Sequence, residues 1–428
     1  MLKRTWALAT VIGVCLPALT EGQTAAPPPK ISFDVAIATA LEKNPNVAQA
    51  AQSILRAEAL LRQSRSVYRP TLDGTVTTNV LDTERGFDGL VAQPQVQSTF
   101  GAALSYPLVA PSRWAARAQA EDQVQVARLG ASDARRQIAV AAAQAYLAVI
   151  GQQRQVDVNL LARDNAQAHV DYAKARLDAG AGSRLDALRA SQELAVSEVL
   201  LEAARLSLRR AQEGLGVLLA ADGPVDAAGE PPLDAQPAIV AEEALADRAD
   251  VRLFSAQLSA AERVARDSWK DRLPTASATF APQLVTPSGI FQPSRSWMAF
   301  VGVQIPVFDG GVRRETERQR GIARDIARLQ LTDLELRARA EVRTARATVE
   351  SSDRALAIAR RAAQDAAEVL RITDIAVRAG ATTNLELVDA QRRAREADTA
   401  VAQAEDRLRQ ARLELLVALG RFPAEAGS

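Results

Sequence analysis

The 428-residue chain has almost no cysteine or histidine. Its only cysteine is Cys15 and its only histidine is His169. A disulfide framework needs pairs of cysteines, and a zinc site needs several such ligands at short spacing, so the sequence excludes both. His169 lies in a polar helical stretch with no second histidine or cysteine near it. We therefore predict that His169 is a solvated surface residue.

Aromatic residues and net charge are also low. Aromatics make up 4% of the chain, and 52 Lys+Arg against 51 Asp+Glu leave a formal charge of +1. Such a balance gives no electrostatic field for nucleic acid, so no nucleic-acid partner is expected. The chain has no phosphate-binding loop, dinucleotide fingerprint or nucleophile motif. The sequence therefore predicts neither an enzyme nor a bound cofactor.

No apolar run is long enough for a transmembrane helix. At the N-terminus, Lys3 and Arg4 precede a short apolar run that ends at Leu19 and is followed by small polar residues. This pattern is typical of a secretory signal, which we place at residues 1–22, with cleavage between 20 and 26. Cys15 lies inside the run. Lipid attachment there needs a small preceding residue, and Val14 is not small, so removal of Cys15 with the signal is favoured.

Proline is absent from two long segments, Ser112–Gly223 and Val307–Phe422. Each segment contains a glycine turn, and the two turns have similar sequences. The turns are Ala179-Gly180-Ala181-Gly182-Ser183 and Ala379-Gly380-Ala381-Thr382-Thr383. Each segment is therefore predicted to form one helical hairpin. The arms of the first, on either side of Gly180, have roughly 65 and 40 residues and span about 100 and 60 Å. Narrow apolar stripes such as Ile322, Ile326 and Leu329 suit helices packed side by side.

Alternation of apolar and polar residues predicts four strands, at 71–81, 96–108, 275–285 and 296–307. Residues 82–94 and 286–294 are predicted to be loops. Strands of roughly ten residues with one polar face can cross a bilayer when tilted. Phe100, Tyr106, Phe280 and Trp297 would then lie at the membrane interfaces. A small soluble β-subdomain is the alternative interpretation.

The order helix, helix, strand, strand and long hairpin occurs twice along the chain. The first repeat is assigned to residues 23–222, with helices over 31–66 and a hairpin over 112–220. A Pro- and Gly-containing linker follows at 223–240. The second repeat is assigned to 241–428, with helices over 241–272 and a hairpin over 311–420. The predicted fold class is therefore mainly α, with a small membrane β part and tandem-duplicated long helical hairpins.

These features together resemble the outer-membrane efflux protein (TolC-like) family. The resemblance covers about residues 31–420. It is carried by the duplicated order, the two Ala-Gly turns and the junction Ile305-Pro306-Val307-Phe308-Asp309-Gly310-Gly311. It implies a homotrimer in the outer membrane of a Gram-negative-type bacterium, in contact with outer-membrane lipid. Each protomer would give four strands to a twelve-stranded β-barrel and its long helices to a periplasmic α-barrel tunnel.

The resemblance also implies a passive exit duct of a tripartite efflux pump for drugs, metabolites or metal ions. A periplasmic membrane-fusion adaptor and an inner-membrane transporter of the RND, MFS or ABC type would supply recognition and energy. An alternative is the outer-membrane component of a type I protein secretion system. Two alternatives of other classes are a periplasmic coiled-coil adaptor or scaffold and a secreted structural coiled coil. Neither of these needs four duplicated strands of bilayer length.

In this family the hairpin turns form the periplasmic tip, where adaptors dock and the pore narrows. Position within the family therefore assigns Asp186, Glu386 and Asp389 to the constriction and both Ala-Gly turns to adaptor contact. Family members often hold the tip closed with a tyrosine and an arginine in the second repeat. This chain has Val377 and Thr382 at those positions, so any latch must use other groups.

Two of the acids have a simpler explanation as helix caps. The spacings Ser183 to Asp186 and Thr383 to Glu386 both match a capping box, in which a hydroxyl cap is followed three residues later by an acid. Asp389 lies one turn further along, and its counterpart in the first repeat is Arg189. We hypothesise that three copies of Asp389 form a ring that prefers cations. Arg189, from the neighbouring hairpin, is expected to hold the tip shut.

Overall fold

Long helices dominate the structure, and a small β-sheet adjoins them. A computed structural model describes residues 27–233 and 248–422. The predicted signal peptide with Cys15, the second half of the predicted linker and the first residues predicted to be helical in the second repeat lie outside the described residues.

Each repeat contains one long helical hairpin. The helices are α1 (Phe33–Lys43), α2 (Pro45–Ser66), α3 (Pro111–Asp178), α4 (Arg184–Leu218), α5 (Ala249–Asp267), α6 (Val312–Arg378) and α7 (Asn384–Ala418). The long arms α3 and α6 have 68 and 67 residues, and the short arms α4 and α7 have 35 each. The predicted hairpins are therefore confirmed. Both α2 and α3 begin with a proline, whose missing N–H would have no partner in the first helical turn anyway.

The main sheet has four antiparallel strands. The strands of the chain are β1 (Lys30–Ile31), β2 (Thr71–Val80), β3 (Arg85–Phe87), β4 (Leu90–Gln93), β5 (Val96–Val109), β6 (Asp226–Ala227), β7 (Thr275–Thr286) and β8 (Arg295–Gln304). Their order in the main sheet is β2-β5-β7-β8, so each repeat supplies two neighbouring strands. β2 and β8 are its edges, and neither has a second strand partner among the described residues.

One predicted loop contains a hairpin. The expectation of a loop over 82–94 is wrong for most of that range, because β3 and β4 pair antiparallel there. The turn between them is Asp88-Gly89, with φ of 53° and 79°. Two consecutive positive φ values are what a two-residue hairpin turn requires, and Asp-Gly is a sequence that adopts them. The Asp and Gly content that indicated a loop is thus also the content of a tight hairpin.

A buried core joins α1 to the long helices midway along the molecule. Ala36, Ala40, Tyr146 and Leu215 are each at most 1% exposed. The Tyr146 hydroxyl donates a hydrogen bond to the Gly229 carbonyl oxygen at 2.8 Å. Part of the predicted linker is therefore ordered: β6 pairs in parallel with β1, and this pairing holds the start of the first repeat against the start of the linker.

In each repeat the residue that precedes a shorter helix bonds through its side chain to the end of the short arm of the hairpin. The Asn44 side chain, which caps α2, donates through Nδ2 to the Leu218 carbonyl oxygen at the end of α4, at 2.9 Å. In the second repeat Arg248, just before α5, donates through Nη1 to the Ala418 carbonyl oxygen at the end of α7, at 3.2 Å. A helix end leaves carbonyls without intrahelical partners, and these side chains satisfy one of them in each repeat.

Candidate functional site at the hairpin tips

The two tips have the same backbone turn. Gly180 has a φ of 71° and Gly380 a φ of 74°, which is the left-handed region that favours glycine. In the first tip the Ala181 N–H bonds to the Arg176 carbonyl at 2.9 Å, and in the second the Ala381 N–H bonds to the Ala376 carbonyl at 2.8 Å. This is a Schellman arrangement. It explains how an Ala-Gly pair ends each long arm and reverses the chain.

The capping boxes predicted at the starts of α4 and α7 are not formed. Ser183 caps α4, but its hydroxyl accepts from the Leu185 N–H at 3.1 Å, and the Asp186 carboxylate makes no hydrogen bond with the described residues. Thr383 makes no side-chain cap bond at all. Instead the neighbouring Thr382 hydroxyl donates to the Glu386 carboxylate. The spacing suits a capping box in both tips, but in the second tip Glu386 bonds to Thr382, the residue before the cap position, and not to the cap residue Thr383.

Asp389 pairs with its own helix. Its carboxylate lies 2.6 Å from Arg392 and 2.9 Å from Arg393, one turn further along α7, and a third of the side chain is exposed. Arg189, by contrast, forms no hydrogen bond or ion pair with any described residue. The structure thus places Asp389 and Arg189 on different helices without bringing them together within one protomer.

His169 is buried, so the prediction of a solvated surface residue is wrong. Its ring is 6% exposed and lies between the two hairpins. Nε2 is 2.6 Å from the Asn384 Oδ1 atom, and Nδ1 is 3.3 Å from the Gln391 Oε1 atom. Asn384 also donates through Nδ2 to the Asp186 carbonyl oxygen at 3.3 Å. One asparagine, the first residue of α7, therefore connects α3 and α4 of the first hairpin to the second hairpin.

The signal for this burial was present in the sequence. Ala166, His169, Val170 and Ala173 have the spacing of one helical face, and all four are buried. The polar residues around His169 indicate exposure to solvent more strongly than this stripe indicates burial. For Asn384 the only indication in the sequence is that the repeats differ at this position, where the first repeat has Arg184.

A second polar link lies three turns above the tip. Arg395 of α7 donates to the Glu193 carboxylate of α4 at 2.9 Å and to the Ser197 hydroxyl at 3.3 Å. The Arg395 and Glu193 side chains are 12% and 16% exposed, so this pair is largely shielded from water. Breaking a shielded pair leaves an uncompensated charge. We call His169, Asn384, Gln391, Arg395 and Glu193 the tip joint.

A cavity of about 310 Å³ adjoins the tip joint between α3 and the second hairpin. Tyr172 lines it, with the Arg378 guanidinium 5.6 Å and the Arg176 guanidinium 5.9 Å from its ring centroid. Arg371 also lines the cavity, and its hydrogen bond to Glu368 lowers the pKa of that carboxyl. Higher on α7, burial raises the pKa of Asp398. In 27–233 and 248–422, no cluster of His, Cys, Asp and Glu could hold a metal ion.

The main sheet has one apolar and one polar face. Phe100, Tyr106, Phe280 and Trp297 all lie on the apolar face, since Leu104 pairs with Phe280 and Pro282 with Trp297. Their side chains are 43–70% exposed, and the Phe280 and Trp297 rings are 5.9 Å apart. The opposite face is mainly polar on β2, β5 and β7, whereas on β8 it carries Met298 and Phe300. Its polar residues are Asp73, Thr75, Thr77, Asn79, Thr99, Ser105, Ser277, Thr279 and Gln283. None of the helices in the described part of the chain is both long and apolar enough to cross a membrane.

Comparison with known proteins identifies the fold and the family. The structure superposes on a membrane protein from Pseudomonas aeruginosa with a TM-score of 0.79 at 22% identity, covering 92% of this chain and 91% of that one. For the outer membrane channel CmeC of Campylobacter jejuni the TM-score is 0.76 at 16% identity, with coverage of 91% and 85%. For the MtrE outer membrane channel of Neisseria gonorrhoeae in its open state it is 0.76 at 19% identity, with coverage of 91% and 88%.

No protein of curated function matches the chain in sequence. The family model described as outer membrane efflux protein matches twice, over residues 36–221 and 240–421. These two matches take in most of the chain, and each includes one hairpin together with the helices and strands that precede it. Members of this family are ducts and not enzymes. The chain therefore belongs to the outer membrane efflux protein family.

Proposed function

We propose that the protein is a homotrimeric outer-membrane exit duct of a tripartite efflux pump. The observation that carries this proposal is the main sheet, which has one apolar face, one polar face and two edges, β2 and β8, of ten residues each. An edge strand has unpaired backbone groups, and a membrane sheet must close to satisfy them. Pairing β2 of one copy with β8 of the next would give three copies a closed barrel of twelve strands, apolar outside and polar inside.

Exposed apolar stripes on the helices support the same assembly. On α6, Ile322, Ile326 and Leu329 are more than half exposed, as are Ile358, Ile372 and Ile375 nearer the tip. α4 carries a matching set: Leu185, Leu188, Val199 and Leu206. α4 packs on α3 and α6 on α7, so both stripes face away from their own protomer. Exposed apolar surface of this kind marks an interface. α4 has only about half the length of α6, so the partner that fits Ile358, Ile372 and Ile375 is α4 of a second copy.

The first experiment is membrane fractionation followed by size analysis of the detergent-solubilised protein. An outer-membrane trimer is expected. A soluble monomer would rule out the duct and favour a periplasmic adaptor or scaffold. Type I secretion is the second candidate for a duct of this shape, and the neighbouring genes separate the two. An adaptor with an RND or MFS transporter indicates efflux, whereas an ABC exporter indicates secretion.

The tip joint is proposed to hold the periplasmic end closed, with the Ala-Gly turns around Gly180 and Gly380 as the adaptor contact. The joint takes the place of the tyrosine and arginine that the chain lacks at Val377 and Thr382. Asn384→Ala removes the bonds to both His169 and the Asp186 carbonyl. We expect this variant to conduct several-fold more current than wild type in a planar bilayer. The control is Arg184→Ala at the matching position of the first tip. Equal conductance of both variants and wild type would show that the joint is not the latch.

Asp389 remains our candidate for ion selectivity, with Arg392 and Arg393 partly compensating its charge. Three copies of the tip would still bring three carboxylates near one axis, where they attract cations. Asp389→Ala is expected to lose cation preference. Glu396→Ala, two turns along the same helix, is the control. Unchanged selectivity of the Asp389 variant would contradict this role. Asp186 and Glu386 are assigned to the same constriction. Arg189 is proposed to act between copies, because Leu185 and Leu188 beside it belong to the exposed stripe of α4.

A further inference from the structure

The two loops at the end of the sheet remote from the helices are locked together. They are residues 81–95, which include the β3–β4 hairpin, and residues 287–294. The Ile290 N–H donates to the Val91 carbonyl oxygen at 3.2 Å. Gly289 lies directly against Ala92: a Cβ atom at this glycine would be 2.1 Å from the Ala92 carbonyl oxygen. Glycine is therefore required for the close approach.

Both loops lie over the polar face of the sheet. At this end Gln97 is 3% exposed, while the next residue on the opposite face, Val96, is 50% exposed. On β7 the same contrast holds between Val285, 4% exposed, and Leu284, 41% exposed. Gln97 also donates through Nε2 to the Pro287 carbonyl oxygen at 3.2 Å. A loop folded across the polar face accounts for both contrasts, because it buries one residue of each pair and leaves the other open.

The same loops expose large apolar side chains. Phe87 is 84% exposed and Phe291 is 81% exposed, and Leu90 and Ile290 beside them are about half exposed. Exposed apolar surface is unfavourable in water, so two exposed phenylalanines favour contact with another apolar surface. The apolar lipid-facing side of the sheet lies on the opposite side from these loops.

We propose that Phe87 and Phe291 of three copies form an apolar constriction at the outer mouth of the duct. The inference rests on the proposed trimeric barrel, in which the polar face lines the channel and loops folded over it lie across the opening. An apolar ring in a narrow passage impedes water and ions by dewetting. The duct then has two barriers in series: a polar one at the periplasmic tip and an apolar one at the outer mouth. The outer ring passes amphipathic solutes more readily than hydrated ions.

Cross-linking tests the proximity of the copies without depending on the state of the tip. In a Cys15→Ser background the chain has no other cysteine, so Phe291→Cys gives one thiol per copy. A short bis-maleimide is expected to join the Phe291→Cys protein into covalent dimers, the most that one thiol per copy allows. Trp297→Cys, on the outer apolar face and 70% exposed, is the control and is expected to stay monomeric on a denaturing gel.

Conductance tests the barrier itself. Phe87→Ser with Phe291→Ser, placed in the tip-opened Asn384→Ala background, is expected to raise single-channel conductance about twofold or more. Phe308→Ser, 88% exposed at the helical end of the sheet, is the matched control and is expected to change nothing. A trimer that shows no Phe291→Cys cross-link overturns the constriction while leaving the duct intact. A protein that is not trimeric on size analysis overturns the proposed function instead.

Discussion

In the two repeats, chemically different side chains bond to the end of the short hairpin arm. In the first repeat the neutral Asn44 side chain reaches the end of α4, and in the second the charged Arg248 side chain reaches the end of α7. The Asn44 side chain needs no further partner, because it is uncharged and its Oδ1 atom accepts a hydrogen bond from the Asn46 N–H at 2.9 Å. Arg248 is only 7% exposed, so its charge needs partners, and Asp250 and Glu341 each lie 2.8 Å away. The same backbone requirement is thus met either by an amide or by a shielded ion-pair cluster.

The tips differ in the same way. Gly180 and Gly380 adopt nearly identical φ angles, so the backbone of the turn is the same in both repeats. The side chains that follow have diverged, and only the second tip has an asparagine that bonds to the other hairpin. The features that both repeats share are the bonded helix ends and the glycine conformations, so the duplicated fold depends on these. The contacts between hairpins depend on side chains found in one copy only.

The comparison of Asn44 with Arg248 predicts the largest change in stability. Arg248→Ala leaves the shielded Asp250 with only Arg136, 4.0 Å away, as a cationic partner and removes the donor to the Ala418 carbonyl, so we expect a loss of about 3 kcal/mol. Asn44→Ala removes one cap and one buried hydrogen bond, and we expect a loss of about 1–3 kcal/mol. Denaturant unfolding of the detergent-solubilised protein measures both. Equal losses for the two variants would show that the charge of Arg248 adds nothing to the stability of its contact with α7.

Acid should weaken the contact made by Arg248 in the second repeat and not the contact made by Asn44 in the first. Burial by itself raises the pKa of Asp250, but the hydrogen bond and charge of Arg248 outweigh it and hold this pKa below its usual value. A depressed pKa contributes stability that is present above the unfolded value of about 3.9 and is lost as pH falls through the folded value. Asp250→Asn is therefore expected to cost stability at pH 7 and little at a pH below the folded-state pKa of Asp250. Asn44→Ala should cost the same at both pH values, which makes it the control.

The sequence predicted the elements of the fold well, because their signals are local. Long proline-free segments, a glycine at each turn and period-two strands each specify one element without reference to the rest of the chain. The hairpin at 85–93 was missed, since Asp-Gly indicates a loop and a tight hairpin alike. The fold class followed from these elements and from the duplication.

The candidate site was harder to predict because it is made by contacts between hairpins. His169, Asn384 and Arg395 are distant from their partners along the chain, and no local pattern pairs them. Composition around His169 indicated solvent, whereas its helical face indicated burial, and only packing decides between the two. The acids at the tip were found by position, but the partners of Asp389 and the hydroxyl that bonds to Glu386 depend on rotamers.

The glycine turns are expected to respond equally in the two repeats. Gly180→Ala and Gly380→Ala each force an alanine into the left-handed region, at a cost of about 1–2 kcal/mol. Nothing lies within 4 Å of a Cβ atom at either glycine, so backbone strain is the whole effect. Hydrogen exchange of the Ala181 and Ala381 amides measures it. Gly214→Ala, exposed inside α4 with equally open space, is the control and should stabilise its helix by about 1 kcal/mol. Unequal effects of the two turn variants would contradict the shared geometry.

The smallest effect separates the two caps. Ser183→Ala removes the hydrogen bond to the Leu185 N–H and is expected to cost about 1 kcal/mol, which is about a fivefold increase in local opening at the start of α4. Thr383→Ala should cost close to nothing, because Thr383 makes no cap bond. Exchange rates of the Leu185 and Leu385 amides report each start separately, and each variant serves as the control for the other. If Thr383→Ala accelerated exchange as much as Ser183→Ala, both hydroxyls would be acting as caps. The first turn of α7 would then depend on Thr383 as well as on the bond between Thr382 and Glu386.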